Sequence, residues 1–253
     1  MRLTVELNIL VNKMNNIPLK IHNLSKDFGN QKVLEDVSLN VSAGEIFGLI
    51  GLNGAGKTTL IKIILGFLSQ DKGSANIFGM DAKETKAREN LSYLPEKFNP
   101  SQFLKGGEFL SLSLSYFGKK YDADLAREKA IALDLDPAVL DHRVGKYSKG
   151  MGQKLGLLSA LLTDAPLLIL DEPMSGLDPK ARILLKDNLL AYRKTGKTIF
   201  FSSHILADIE EICDRIAILH DNKMVFVGTA DEFKKNYEGK TLERSFLTAI
   251  KAA

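Results

Sequence analysis

The chain has 253 residues, 45% of them hydrophobic and 26% charged, which suits one large α/β domain or a core carrying an inserted subdomain. A formal net charge of +3 without a long run of Lys and Arg gives no footing for nucleic-acid binding, and none is expected. Cys213 is the only cysteine, which excludes an intramolecular disulfide and a cysteine-based metal cluster and suits a reducing compartment.

No stretch reaches the roughly eighteen apolar residues that a membrane span requires, so the chain is not expected to cross a membrane by itself. At the N-terminus, Met1 to Val11 alternates apolar residues, but Glu6 and Asn8 interrupt any secretory core. A short strand, a disordered extension and a start at Met14 are all compatible with it.

From Leu19 onward, short strand-like runs alternate with helical patterns, the rhythm of a parallel α/β sheet. Leu19–Leu24 and Ser74–Phe78 read as flanking strands, with Glu45–Ile50 as a buried strand between them. Thr59–Leu65 reads as the first turns of an apolar-faced helix, and Leu91–Leu94 as a strand stopped by Pro95. Between about Pro100 and Thr163 helical patterns dominate, in Gly107–Phe117, Ala123–Leu133 and Gly150–Leu162. This block is expected to be a helical subdomain inserted between sheet strands. Leu167–Leu170, Thr198–Phe201 and Arg215–Leu219 resume the strands. Met224–Gly228 should pair with the last of these across Asp221-Asn222, and one or two helices from Thr229 to Ala249 finish the chain. Cys213 reads as a small core residue on a helix.

The stretch Gly51-Leu52-Asn53-Gly54-Ala55-Gly56-Lys57-Thr58-Thr59 fits G-x-x-x-x-G-K-[ST] between a strand and a helix. Glycines there let backbone N–H groups turn onto phosphate oxygens, the helix N-terminus adds partial positive charge, and Lys57 can reach the β- and γ-phosphates. The Thr58 hydroxyl can ligand Mg²⁺. Leu167–Leu170 ends in Asp171-Glu172, an acidic pair that by itself is also compatible with a helix cap. Beside a phosphate loop, Asp171 can hold Mg²⁺ and Glu172 can polarise a water attacking the γ-phosphate.

With these motifs the chain resembles the ATP-binding subunits of ABC transporters over nearly everything after Leu19. Tyr147-Ser148-Lys149-Gly150-Met151 stands where that family has its signature, usually L-S-G-G-Q. Ser175-Gly176-Leu177-Asp178 follows Asp171-Glu172-Pro173 as the D-loop does, and His204 falls at the switch histidine. Phe28, before Gly29, matches the aromatic that stacks on adenine, although packing in the core is the other reading of it. The resemblance implies that Asn53, Gly54, Ala55, Gly56, Lys57, Thr58 and Thr59 hold ATP, and that Ser148 and Gly150 meet the γ-phosphate bound by a second chain. It also implies that Asp178 links the two sites, and that His204 orients water with Glu172. His22, His142 and His220 keep a structural reading.

Three positions depart from the pattern. Glu96, in Leu94-Pro95-Glu96, replaces the Q-loop glutamine and could still reach Mg²⁺, while Lys149 and Met151 replace a glycine and a glutamine of the signature. These departures, and the ending Thr241–Leu247, resemble the branch that serves separately encoded export permeases for drugs, polysaccharides or sodium, or nitrous oxide reductase maturation. The loop around Phe98, Pro100 and Phe103 would take a coupling helix from the permease, or is a plain loop anchored by Phe.

The fold implied is α/β, a P-loop NTPase core of RecA-like type with an antiparallel β subdomain and an inserted α-helical subdomain. Residues 1–16 are the extension, 17–228 the ATPase domain with the helical subdomain at about 97–163, and 229–253 a helical tail. The expected function is ATP hydrolysis with Mg²⁺, in a head-to-tail dimer with itself or a homologous ATPase subunit. That dimer would drive a transmembrane permease, with the chain peripheral on the cytoplasmic face. The alternative is a soluble ATPase of the same family acting in assembly or regulation.

Overall fold

The structure, a computed structural model, describes residues 17–252. The expectations for residues 1–16 lie outside it. In chain order the strands are β1 (Leu19–Phe28), β2 (Gln31–Val41), β3 (Ile46–Ile50), β4 (Lys72–Ile77), β5 (Met80–Asp81), β6 (Leu91–Leu94), β7 (Leu167–Asp171), β8 (Thr198–Ser203), β9 (Arg215–His220) and β10 (Lys223–Gly228). The α-helices are α1 (Lys57–Ile64), α2 (Gly106–Ser115), α3 (Ala123–Ala132), α4 (Lys149–Leu162), α5 (Pro179–Lys194), α6 (Leu206–Ile212), α7 (Ala230–Asn236) and α8 (Leu242–Ala252). The described residues divide into two compact units, one made of residues 17–89 with 204–252 and the other of residues 90–203.

In the first unit, four antiparallel strands run in the order β2-β1-β4-β5. Strand β2 was not expected from the sequence. Val37, Leu39 and Val41 alternate cleanly into the core, but Leu34 is out of phase with them, because the left-handed Asp36 (φ 52°) interrupts the pleat. The facing strand has its own left-handed residue, Asn23 (φ 46°), and the two meet through Asn23 Nδ2 donating to Asp36 Oδ1 at 2.6 Å. A bulge matched on both strands keeps the pairing while hiding the alternation. In the same unit β3 pairs in parallel with β9, and β9 turns back into β10. Asp221 and Asn222 have φ of 44° and 68°, the left-handed pair a two-residue hairpin needs, as expected from the sequence. Helix α8 buries Leu242, Phe246 and Ala249 and packs on α6 and α7.

In the second unit β8, β7 and β6 form a parallel ladder, and β7 and β8 are buried along their whole length. Helices α2 to α4 fall inside the expected helical block. Asp122 caps α3, accepting from the Asp124 and Leu125 N–H groups, and Asp134 then clips α4 to α5. Its carboxylate takes Lys180 Nζ at 2.6 Å and Lys154 Nζ at 3.0 Å, and these two lysines hold the carboxyl below its ordinary range.

Cys213 is not on a helix. It follows α6 in extended conformation, where α6 has run out, and its Sγ lies against Gly48: a Cβ added there would stand 2.8 Å from the sulfur. Burial pushes the thiol well above its ordinary pKa, so the reading as a packed, unreactive residue holds.

Gly73 sits in left-handed backbone (φ 77°), where a Cβ would collide with the carbonyl oxygens of His22 and Asn23. Gly79 has a similar φ of 81° but open space around it. Gly73→Ala is therefore expected to destabilise by about 3 kcal/mol or more, and Gly79→Ala by only about 1 kcal/mol, when compared by urea unfolding.

Candidate functional site

The first unit carries the phosphate-type loop. Strand β3 is wholly buried and delivers the chain to Gly51, after which Asn53 and Gly54 lie at the surface and Gly56 turns into α1. Gly56 has φ 104°, and a Cβ on it would stand 2.8 Å from the Val33 carbonyl oxygen and 2.9 Å from Leu34 Cδ2. No side chain caps α1 by a hydrogen bond and no acidic residue occupies its first turn, so the helix's own sequence places no anion at its positive end. Lys57 is 6% exposed and folds back, its Nζ donating to Gly51 O at 2.7 Å and Leu52 O at 3.4 Å. The ammonium is thus aimed along the loop rather than into solvent. Thr58 and Thr59 are half-buried, and Ala55 N–H closes a turn on Leu52 O at 3.1 Å. This arrangement fits a polyphosphate: a loop that only glycine can follow, an open helix N-terminus and a buried lysine.

Phe28 is not in the core. It ends β1 at a hairpin tip, 49% exposed, and pairs with Gln31, two residues before the Val33 that abuts Gly56. The ring is therefore carried on the same strand pair that confines the loop, offset by about 7 Å along the strand. His204 is exposed at the start of the segment leading to α6.

The second unit gathers the acidic residues. Asp171, 1% exposed, ends β7 and pairs in register with Ser202 of β8. Ser202 Oγ donates to Asp171 Oδ1 at 2.5 Å and accepts from the Glu172 N–H at 3.0 Å. Glu172 is 7% exposed and left-handed (φ 50°), directly before Pro173, a conformation that costs on the order of 1–3 kcal/mol. The chain turns sharply there, and Ser175 N–H closes the turn on Glu172 O at 3.0 Å. Tyr93, on β6, has its phenol pushed up to about 12, first by burial and then by the charges of Asp171 and Glu96. Its shift marks Asp171 and Glu96 as parts of one electronegative neighbourhood.

Glu96 is exposed on a groove of about 550 Å³ that also meets Phe98, Ser148, Lys149, Gln153 and Ser175. Ser148 caps α4, accepting from the Met151 N–H at 3.2 Å, and Gln153 Nε2 reaches the Pro173 carbonyl at 3.4 Å. Gly150 lies in the first helical turn with nothing nearer its absent Cβ than Gly176 O at 3.9 Å, so packing within this chain does not demand a glycine there. Asp178 caps α5 by accepting from the Ala181 N–H at 2.9 Å. Phe98 is an intramolecular anchor, edge-on to Phe109 with ring centroids 5.5 Å apart, whereas Phe103 is 84% exposed.

Residues 34–175 match the ABC transporter family model. The chain is 42% identical over 83% of its length to an ABC transporter ATP-binding protein of Synechocystis sp., and 35% identical, again over 83%, to the Nod factor export ATP-binding protein I of Burkholderia lata. A linearmycin resistance ATP-binding protein of Bacillus subtilis is 30% identical over 93% of the chain and is covered for 76% of its own length. The chain belongs to the ABC transporter family. It spans 61% of the Synechocystis relative and 70% of the Burkholderia one. A solved ATP-binding subunit of an ABC transporter superposes with a TM-score of 0.85 at 33% identity, covering 91% of this chain and 98% of that one. A bacterial ABC transporter cassette solved as a dimer shares the fold with a TM-score of 0.76 at 23% identity, covering 83% of this chain and 98% of that one. The chain is thus a cassette of the kind found in ABC transporter ATP-binding subunits, with the α/β P-loop fold expected from its sequence.

Among the expected residues, the first unit of the cassette carries Phe28, Asn53 to Thr59 and His204, and the second carries Glu96, Ser148, Gly150, Asp171, Glu172 and Asp178. Among the described residues no group of three or more His, Cys, Asp and Glu could hold a metal ion. Asp171, buried at the end of β7, is an oxygen donor of the hard kind that Mg²⁺ takes. Ser202 was missed by the sequence reading; its only signal was a polar residue ending an apolar strand just before His204. Ser202→Ala should leave the fold intact and lower ATP turnover about tenfold, since it removes a hydrogen bond from Asp171 and one from the strained Glu172 backbone; steady-state phosphate release measures it.

Proposed function

We propose that this cassette binds and hydrolyses Mg²⁺–ATP and closes head to tail on a second copy of itself or a homologous ATPase subunit, and that this drives a separate transmembrane permease in the export direction. The observation that carries the reading is the conjunction, in a member of this family, of the Lys57 loop, the Ser148-capped α4 and the strained Glu172 beside Asp171. We take residues 17–228 as the ATPase domain, with the helical subdomain at about 97–163 and residues 229–253 as a tail.

In this reading Asn53 to Thr59 hold the phosphates through backbone N–H groups, Lys57 moves from the loop carbonyls to the β- and γ-phosphates, and Phe28 takes the base. Thr58 and Asp171, with Glu96, would hold Mg²⁺, which when bound neutralises charge developing on the phosphates. Glu172 accepts a proton from the attacking water, and His204 orients that water and contacts the γ-phosphate. Ser148 and Gly150 present the α4 N-terminus to the nucleotide of the opposite chain, where Lys149 adds positive charge, and Asp178 links the two sites. With the signature of each chain meeting the nucleotide of the other, as the family resemblance implies, ATP acts as the adhesive and hydrolysis releases the pair.

The permease partner is supported by the family, and the direction by the relatives named for Nod factor export and linearmycin resistance. Among the described residues no helix is long and apolar enough to cross a membrane. The cassette would sit on the cytoplasmic face, with the exposed Phe103 beside the groove as a contact for a coupling helix.

Glu172→Gln is expected to keep ATP binding, lose most hydrolysis and accumulate an ATP-bound dimer in size-exclusion chromatography, whereas Ser148→Arg should bind ATP and stay monomeric. Unchanged turnover in the first variant, or a normal dimer in the second, would remove the residue from its role. Capturing the cassette from detergent-solubilised membranes should recover a polytopic membrane protein; recovery of a soluble assembly factor instead would favour the regulatory reading.

A further inference from the structure

The exposed Phe28 ring has a cation against one face. Lys26 Nζ lies 5.4 Å from its centroid, and the Lys26 side chain is only 13% exposed, so it is packed beneath the ring rather than waving in solvent. Asp71, just before β4, fixes it there. One carboxylate oxygen takes Lys26 Nζ at 2.8 Å, the other takes the Asp27 N–H at 2.7 Å, and the Asp71 N–H donates to Ser25 O at 2.9 Å.

Three consecutive residues of β1 are thus gripped by one residue 44 to 46 positions later, at the point where the β1–β2 register shifts between Leu24 and Lys26 and again between Lys26 and Asp27. A bulged strand end at a hairpin tip is intrinsically loose. The grip removes that freedom just before Phe28. A surface ion pair contributes little to stability by itself, so its value here lies in where it holds the ammonium. A cation behind an aromatic ring draws π-density toward itself, and the front face then becomes a better stacking partner for an electron-rich, two-ring base.

We propose that Lys26, held by Asp71, is a positioning residue that orients and polarises the Phe28 ring as a stacking platform selective for purine over pyrimidine nucleotides; this rests on the assignment of Phe28 to the base. No hydrogen-bonding group takes part in the platform, so it does not separate adenine from guanine.

The test compares binding of ATP, GTP, CTP and inorganic tripolyphosphate to the whole chain and to three variants by titration calorimetry. Lys26→Met keeps the aliphatic stem and removes the charge; Asp71→Asn keeps an acceptor for the Asp27 N–H and releases the lysine. Both are expected to weaken ATP and GTP about threefold, CTP less, and tripolyphosphate not at all. Phe28→Ala should weaken ATP about tenfold, again sparing tripolyphosphate. If Phe28→Ala leaves the ratio of ATP to tripolyphosphate affinity unchanged, the base assignment fails and the proposal with it. If Phe28→Ala lowers that ratio while Lys26→Met and Asp71→Asn do not, the base assignment stands and the role of Lys26 is overturned. Equal weakening of all four ligands by Lys26→Met would mean a merely structural lysine and would overturn it too.

Discussion

The passage of Gly56 beneath β2 is the constraint on which the nucleotide-binding half of this cassette depends. Its absent Cβ would meet the Val33 carbonyl and the Leu34 side chain, and its backbone is left-handed, so the residue can only be glycine. That tight passage bends the loop after β3 into a cradle and starts α1 with an uncapped N-terminus. It also turns Lys57 back along the loop carbonyls. The same strand, two residues before Val33, carries the partner of Phe28, so one steric contact relates the glycine loop to the hairpin tip that bears the exposed ring.

The second unit solves a different problem, which is how to hold a carboxylate in an unfavourable backbone conformation. Glu172 is left-handed before a proline, and Ser202 stabilises the turn by accepting from its N–H while donating to Asp171. The two acidic residues are thereby linked through one hydroxyl on a neighbouring strand. Strain of this kind persists only where the surroundings over-determine it, and β7 and β8, buried throughout, supply that rigidity.

Ser148 and Asp178 have duties inside their own chain, each capping a helix. Gly150 does not, since nothing here crowds its missing side chain. The two charged departures from the family pattern, Glu96 and Lys149, line the same groove, so the replacement of neutral residues by opposite charges is spatially paired rather than scattered.

The sequence by itself determined the features written within a few neighbouring residues. The glycine loop at Gly51–Thr59 with the helix after it, the acidic pair ending an apolar strand, the Asp221-Asn222 hairpin and the helices α2 to α4 are of this kind, because steric freedom and side-chain periodicity act locally; α5 (Pro179–Lys194) and α6 (Leu206–Ile212) were not read from the sequence. What required the tertiary structure involves partners far apart in the chain. Strand β2 was hidden because the left-handed Asp36 breaks its alternation, and only pairing with β1 restores it. Ser202 reaches Asp171 from the neighbouring strand, Cys213 meets Gly48 beyond the end of α6, and Asp71 grips Lys26 from the bend just before β4. Such contacts exist only once loops have closed and registers are set, and no local pattern in the sequence encodes them.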